Sequence, residues 1–193
     1  MAARGAFIRL HSTFKRLSRD RTGIGAIEFA ILFPILVMLY IGAFEITVGL
    51  SVSKRATRAA GSIADIVTQQ QSVTKSWLAD MPSVASSIFV PYVTTGLTLK
   101  ITGIAIDASA NPKVAWSWAQ DGSKPYTVND AVTTVPADMK KANSFLVRTE
   151  LSIPYELFVF APDFMPGDLR TITISRSYFY RQREGDSVLC GDC

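Results

Sequence analysis

Glu28 is the residue whose type and place most demand a chemical account. From Ile24 to Val52 every residue is apolar, small or hydroxylated except Glu28, Pro34 and Glu45. A run of that kind belongs in lipid, and a carboxylate carried into a bilayer by a helix costs about 2.5–3.5 kcal/mol, so it needs a cationic partner. Gly23 stands five residues earlier. If the chain were cut after Gly23, Ile24 would become its first residue and carry a free α-amine, with Glu28 as its fifth. Side by side in an assembly, the carboxylate of one helix could then pair with the amine of its neighbour. The buried charge would be tolerable only when helices stack in register.

Other residue types capable of chemistry are few. The single histidine, His11, precedes the apolar run, so everything beyond it lacks imidazole. That removes Ser-His-Asp and Cys-His nucleophile systems and any His-ligated metal from the C-terminal body. Cys190 and Cys193 form a Cys-Gly-Asp-Cys motif at the end of a hydrophilic tail that reads as flexible, with exposed thiols. A metal would want two further ligands, and a redox catalyst would want its CxxC at a helix N-terminus in a βαβ setting. A local disulfide is the expectation; an intermolecular link or free thiols are the alternatives. Trp116 and Trp118 alternate on one strand face and could stack on a sugar, although core packing is the commoner use. Asp107, Asn111, Asp121, Asn129 and Asp130 offer oxygens from loops without EF-hand-like spacing, so solvated loops are expected. Arg176, Arg181 and Arg183 read as a polar strand face, with a basic patch as the alternative. Glu45 reads as exposed at the outer end of the apolar run, with a second intersubunit contact as the alternative.

These residues need a framework. The charge-free core Phe29–Phe44 has 16 residues and Ile24–Leu50 has 27, whereas about 20 suffice to span a bilayer. A secretory signal has an apolar region of only about 7–15 residues. Beyond the run, Val52, Ala56, Ala59, Ala60, Ile63, Ile66 and Val67 recur at three- and four-residue spacing, which predicts one helix from about Ile24 to Thr68. Pro34 should bend or loosen it. Gly42, Gly49 and Gly61 weaken it mildly or allow close approach of another helix. A second helix is expected over Thr74–Phe89, with Pro82 making its continuity doubtful. From Gly96 the period becomes two. Leu97, Leu99 and Ile101 share one parity and Ile104 and Ile106 the other, which suggests a bulge near Thr102-Gly103. Further strands are expected at Lys113–Gln120, Ser144–Pro154 and Leu169–Arg181. Residues 121–143 read as a long connection with a helical turn near Pro136–Lys141, and an apolar stretch over Tyr155–Phe164 precedes the turn Pro166-Gly167-Asp168.

Charge location settles a further question. The net charge is +4, but residues 1–23 hold +5 and the remaining 170 residues −1. The basicity is local to the N-terminus, which removes the main support for nucleic-acid binding. Basic residues ahead of the span put the N-terminus in the cytoplasm and the body outside.

The run Arg21-Thr-Gly-Ile-Gly-Ala-Ile-Glu-Phe-Ala-Ile-Leu-Phe-Pro34 resembles the start of TadE/TadG-like pseudopilins of tight-adherence (Tad/Flp) pilus systems: a basic leader, a glycine, four residues, Glu-Phe or Glu-Tyr, and a proline six residues after the glutamate. Gly23, Glu28-Phe29 and Pro34 occupy those places. Residues 144–183, with Ile-Pro-Tyr, Phe-Val-Phe-Ala-Pro and a closing Tyr-Arg-Gln-Arg, resemble the C-terminal part of such domains more weakly. The resemblance implies cleavage between Gly23 and Ile24 by a prepilin peptidase; Gly25 is a second candidate but would put Glu28 at position three. It implies a role for Glu28, Phe29 and Pro34 in assembly with other pilins and the Tad inner-membrane platform. The resulting expectation is an α+β protein, a long transmembrane helix packed on a small antiparallel sheet. Its parts would be a leader at 1–23, a span at 24–52, helices at 53–91, a β domain at 96–183 and a tail at 184–193. It would be a non-catalytic minor pilin of the bacterial inner membrane and periplasm, without cofactor or metal. The alternative function is a membrane-anchored adhesion or glycan-binding module that uses Trp116 and Trp118.

Overall fold

The structure, a computed structural model, describes residues 23–157 and 171–193. The basic leader with His11, most of the apolar stretch before Phe164 and the turn at 166–168 lie outside the described residues. The chain divides into two units, residues 1–44 and 45–193.

Helix α1 runs unbroken over Ile24–Thr68 and includes Pro34. Over residues 25–40 its side chains are exposed on every side: Ile31, Leu32, Phe33, Ile35 and Leu36 succeed one another without a buried position. The helix is long and apolar enough to cross a membrane.

The second unit contains the core, and here α1 changes character. Val52, Ala56, Ala59, Ala60, Ile63, Ala64 and Val67 are buried along one stripe, as the spacing predicts. Strand β1 (Ser72–Val73) follows, then α2 (Lys75–Leu78) and α3 (Met81–Phe89). The expected helix over 74–89 is therefore two. Thr74 caps α2 by accepting the Trp77 N–H, and Pro82 falls in the first turn of α3, where its missing N–H has no helical partner to lose. Arg55 closes the other end of α3, donating from Nη1 to the carbonyls of Ile88 (2.9 Å) and Val90 (2.8 Å).

Strands β2 (Thr98–Ile106), β3 (Pro112–Ala119), β4 (Ser144–Glu156) and β5 (Thr171–Arg181) form an antiparallel sheet in the order β3-β2-β4-β5. A register shift falls between Gly103 and Ile104, beside the expected Thr102-Gly103. Gly103 faces Trp116 and Ile104 faces Val114, so the extra residue is Ala115 on β3, while β2 pairs with β4 without interruption. The change of parity within β2 has a simpler cause: both faces of the sheet are covered. Leu99, Ile101, Trp116, Trp118, Leu151 and Ile153 pack against the helices, whereas Ile104, Ile106, Val114 and Leu146 pack beneath Val132 and Val135 of the 120–143 connection. Each large apolar side chain buried this way contributes about 1.5–3 kcal/mol. That connection includes a 3-10 turn at Ala137–Met139 and also covers the outer edge of β3, with Val114 N–H on Asp130 and Val132 N–H on Pro112.

The β2–β3 turn is built on Asp107, whose Oδ1 accepts the N–H groups of Ser109 and Asn111, both at 2.9 Å. The Asn111 N–H, foremost among these bonds, holds the carboxyl below its ordinary 3.8. A depressed native pKa contributes stability that is complete above 3.8 and is lost as pH falls through the native value. An NMR titration should therefore find the amide shifts of Ser109 and Asn111 moving together, with a midpoint below the ordinary carboxyl value of 3.8. Movement centred at or above that value would refute the bonding.

Candidate assembly site at the start of the long helix

The first turn of α1 is closed by Gly23, whose carbonyl accepts the N–H groups of Ala26 and Ile27, both at 3.1 Å. Regular helix begins at Ile24. Glu28 is four residues on, so the backbone nitrogen of Ile24 and the Glu28 carboxylate share one helix face about one turn apart. The helix N-terminus carries partial positive charge, which favours a carboxylate nearby. Glu28 is exposed. Phe29, 61 % exposed, meets Phe33 with ring centroids 5.5 Å apart. Pro34 sits six residues after Glu28 and removes the N–H that would have bonded the Ala30 carbonyl. The sequence-predicted assembly residues thus lie on the first three turns of one helix.

A Cβ on Gly23 or on Gly25 would meet nothing within 4 Å. Packing among the described residues gives no reason for glycine at either place.

Elsewhere several expectations change. Glu45 is buried, not exposed, and accepts a 2.7 Å hydrogen bond from the Tyr155 hydroxyl. Burial, then that carboxylate, pushes the Tyr155 phenol well above its ordinary value, so it remains a donor. Gly49 and Gly61 admit the rings of Tyr155 and Tyr178, each at 3.7 Å from a built Cβ, so the close approach is by strands and not by another helix. Trp116 and Trp118 are each only 5 % exposed, which removes the indole platform on which the glycan-binding alternative relied. Arg176 bonds Ser53, Arg181 bonds the Met139 carbonyl and Arg183 pairs with Asp65 at 3.1 Å. The three arginines tie the sheet to its surroundings instead of forming one patch. Asp121 caps its own turn through the Ser123 N–H.

The tail is the largest correction. Cys190 and Cys193 are joined by a disulfide, as expected, but the tail that carries them is packed on the domain. Strand β6 (Leu189–Cys190) pairs in parallel with β1, and Val188 is 1 % exposed. Trp116 Nε1–H donates to the Val188 carbonyl at 2.8 Å, Asp192 accepts the Lys75 N–H at 3.0 Å, and Lys124 donates to the Cys193 carbonyl. A buried valine and bonds to three separate parts of the domain offset the ordering entropy that left the tail looking free.

Sequence reasoning missed one ionic cluster. Arg148, on β4, pairs with Glu150 at 3.1 Å, lies 4.5 Å over the Tyr126 ring and donates to Thr134. The Tyr126 hydroxyl donates to Glu150 at 2.8 Å, and burial followed by that bond raises its pKa. Each group is engaged by another, so the cluster fastens the 120–143 connection to the sheet and presents no free nucleophile. Its only sequence signal is the two-residue spacing of Arg148 and Glu150 on one strand face.

Residues 23–65 match the family model of TadE-like proteins. The match begins at Gly23 and takes in Glu28, Phe29 and Pro34; residues 144–183 lie beyond it. No curated protein and no solved structure matches the chain.

Proposed function

We propose, starting from a TadE-like segment that opens at Gly23, that this chain is a minor pilin or pseudopilin that takes part in assembling a Tad/Flp-type pilus and has no catalytic activity of its own. In this reading α1 anchors it in the bacterial inner membrane over residues 24–52. The N-terminus is cytoplasmic and the domain periplasmic. The observation that carries the reading is the coincidence at one point of the family match, the start of the helix and an exposed glutamate one turn in.

The local chemistry suits a processing site. A prepilin peptidase would hydrolyse the Gly23–Ile24 amide, leaving a carboxylate on Gly23 and an amine on Ile24. A protease needs that bond free of the helix, and the Gly23 carbonyl is engaged by Ala26 and Ile27. Glycine costs a helix interior about 1 kcal/mol relative to alanine, so Gly25 makes this first turn easier to unwind. Packing among the described residues does not require glycine at 23; in this reading the peptidase pocket does. The new amine then provides the positive charge that a neighbour's Glu28 needs. Partners in this scheme are the peptidase, other pilins or pseudopilins and the inner-membrane assembly platform.

N-terminal sequencing of the chain extracted from membranes should begin at Ile24. Gly23→Asp should leave the leader attached in nearly all molecules, because a charged side chain replaces a hydrogen at the cut. A parent chain that keeps its leader would reduce the reading to a plain membrane anchor.

A further inference from the structure

Among the described residues, three of the exposed apolar side chains of the folded domain gather at one end of it. Val90 is 66 % exposed, Val93 78 % and Ile172 51 %. All three are carried by elements that touch α1 between residues 45 and 55. Ile172 is the cross-strand partner of Tyr155, whose hydroxyl bonds Glu45. Val90 offers its carbonyl to Arg55, and the Arg55 guanidinium lies 5.2 Å from the Tyr92 ring. Between them opens a cavity of about 520 Å³ lined by Val52, Tyr92, Val93, Pro154 and Tyr155, with Glu156 on its rim. Here the apolar run of α1 gives way to the exposed cations Lys54 and Arg58. The other end of the sheet, at Ile106, Pro112 and Ser144, has the opposite character, with the Asp107 turn, Asn129 and Asp130; the polar turn with Asp121 and Lys124 follows β3 at the near end, at the other side of the sheet's width from Ile172. Val128, Tyr178 and Leu189 are exposed elsewhere, which is ordinary for a protein surface.

We propose that this end of the domain is a membrane-contact surface: Val90, Val93 and Ile172 enter the headgroup region of the bilayer, with Lys54 and Arg58 against lipid phosphates. The proposal rests on α1 being a membrane anchor. If α1 leaves the lipid near Val52, whatever packs on residues 45–55 lies at the interface. Aliphatic side chains, tyrosine and flanking cations are the residue types that are stable there. That end of the domain is then in contact with the lipid.

The test uses the full chain in vesicles of phosphatidylethanolamine and phosphatidylglycerol. Both native cysteines are in the disulfide, so a single introduced cysteine can carry a nitroxide label. Labels at Val93→Cys, at Leu39→Cys in the apolar run and at Ala108→Cys in the far turn report collisions with oxygen, which partitions into lipid, and with a water-soluble nickel chelate. The expected result is an oxygen-over-nickel preference at 93 of the same sign as at 39 and reversed at 108. A lipid signal at 39 with a water signal at 93 would overturn the proposal and leave the anchor standing. A water signal at 39 would overturn the anchor as well. A label at 93 shielded from both reagents, or one whose spin–spin broadening disappears on dilution with lipid, would mean that protein covers the patch, which also overturns the proposal.

Discussion

Glu28→Ala will leave the chain membrane-bound and cleaved after Gly23, yet its recovery in sheared pili will fall by more than tenfold relative to the membrane pool. The expectation follows from comparing two states. A lone helix holding Glu28 in lipid is less stable than its alanine counterpart by about 2.5–3.5 kcal/mol, and pairing with a neighbour's amine relieves that cost only in the assembly. Alanine removes the cost from the lone state and the attraction from the assembled one, so the difference that drives incorporation disappears. A loss of about 2.5 kcal/mol corresponds to nearly two orders of magnitude in an equilibrium. Glu28→Gln should fail almost as completely, because an amide keeps hydrogen bonding and loses the charge. Normal pili from the alanine variant would end the charge-pairing account, and rescue by glutamine would convert it into a hydrogen-bonding one. Glu28 is exposed and belongs to the first unit, so thermal melting of the 45–193 unit should be unchanged in either variant.

The parts of this molecule that were legible in the sequence are those encoded by short periods. The buried stripe of α1 repeats every three or four residues, and the strands alternate, so helix, sheet and their common core follow from local pattern. The first-turn site is legible for the same reason, since Gly23 and Glu28 lie within one stretch of helix. What was illegible depends on pairs far apart in the chain. Glu45 finds Tyr155 at a separation of 110 residues, and Trp116 finds Val188 at 72. A lone glutamate at the end of an apolar run and a polar tail with two cysteines carry no local sign of those partners. The bulge is an intermediate case. Its level was visible as a parity change in β2, but the unpaired residue, Ala115, lies on the opposite strand. A parity change alone cannot separate a bulge from a sheet covered on both faces.

Gly103 gives the sharpest test of how that sheet is joined to the tail. A Cβ there would stand 2.4 Å from Trp116 Nε1, 2.5 Å from its Cε2 and 2.8 Å from Phe145 Cζ. None of these atoms is the free end of a flexible side chain. The Trp116 indole is buried and tethered through Nε1 to the Val188 carbonyl, so a ring that swings away must release the tail. Overpacking a core costs about 1–3 kcal/mol, and a lost hydrogen bond adds about 0.5–1.5 kcal/mol. Gly103→Ala should therefore destabilise the domain by roughly 2–4 kcal/mol, lowering Tm by about 10 °C for a unit of this size. A general packing defect would stop there. The tether predicts more: proteolysis at Val188, which is buried in the parent, should be markedly faster in Gly103→Ala. Combining it with Trp116→Leu, which makes room for the new methyl, should cost markedly less than the sum of the two single changes. Additive losses, or an unchanged melting temperature in Gly103→Ala, would show that the indole does not occupy the space over Gly103, and the clamp that it forms with the tail would fall with it.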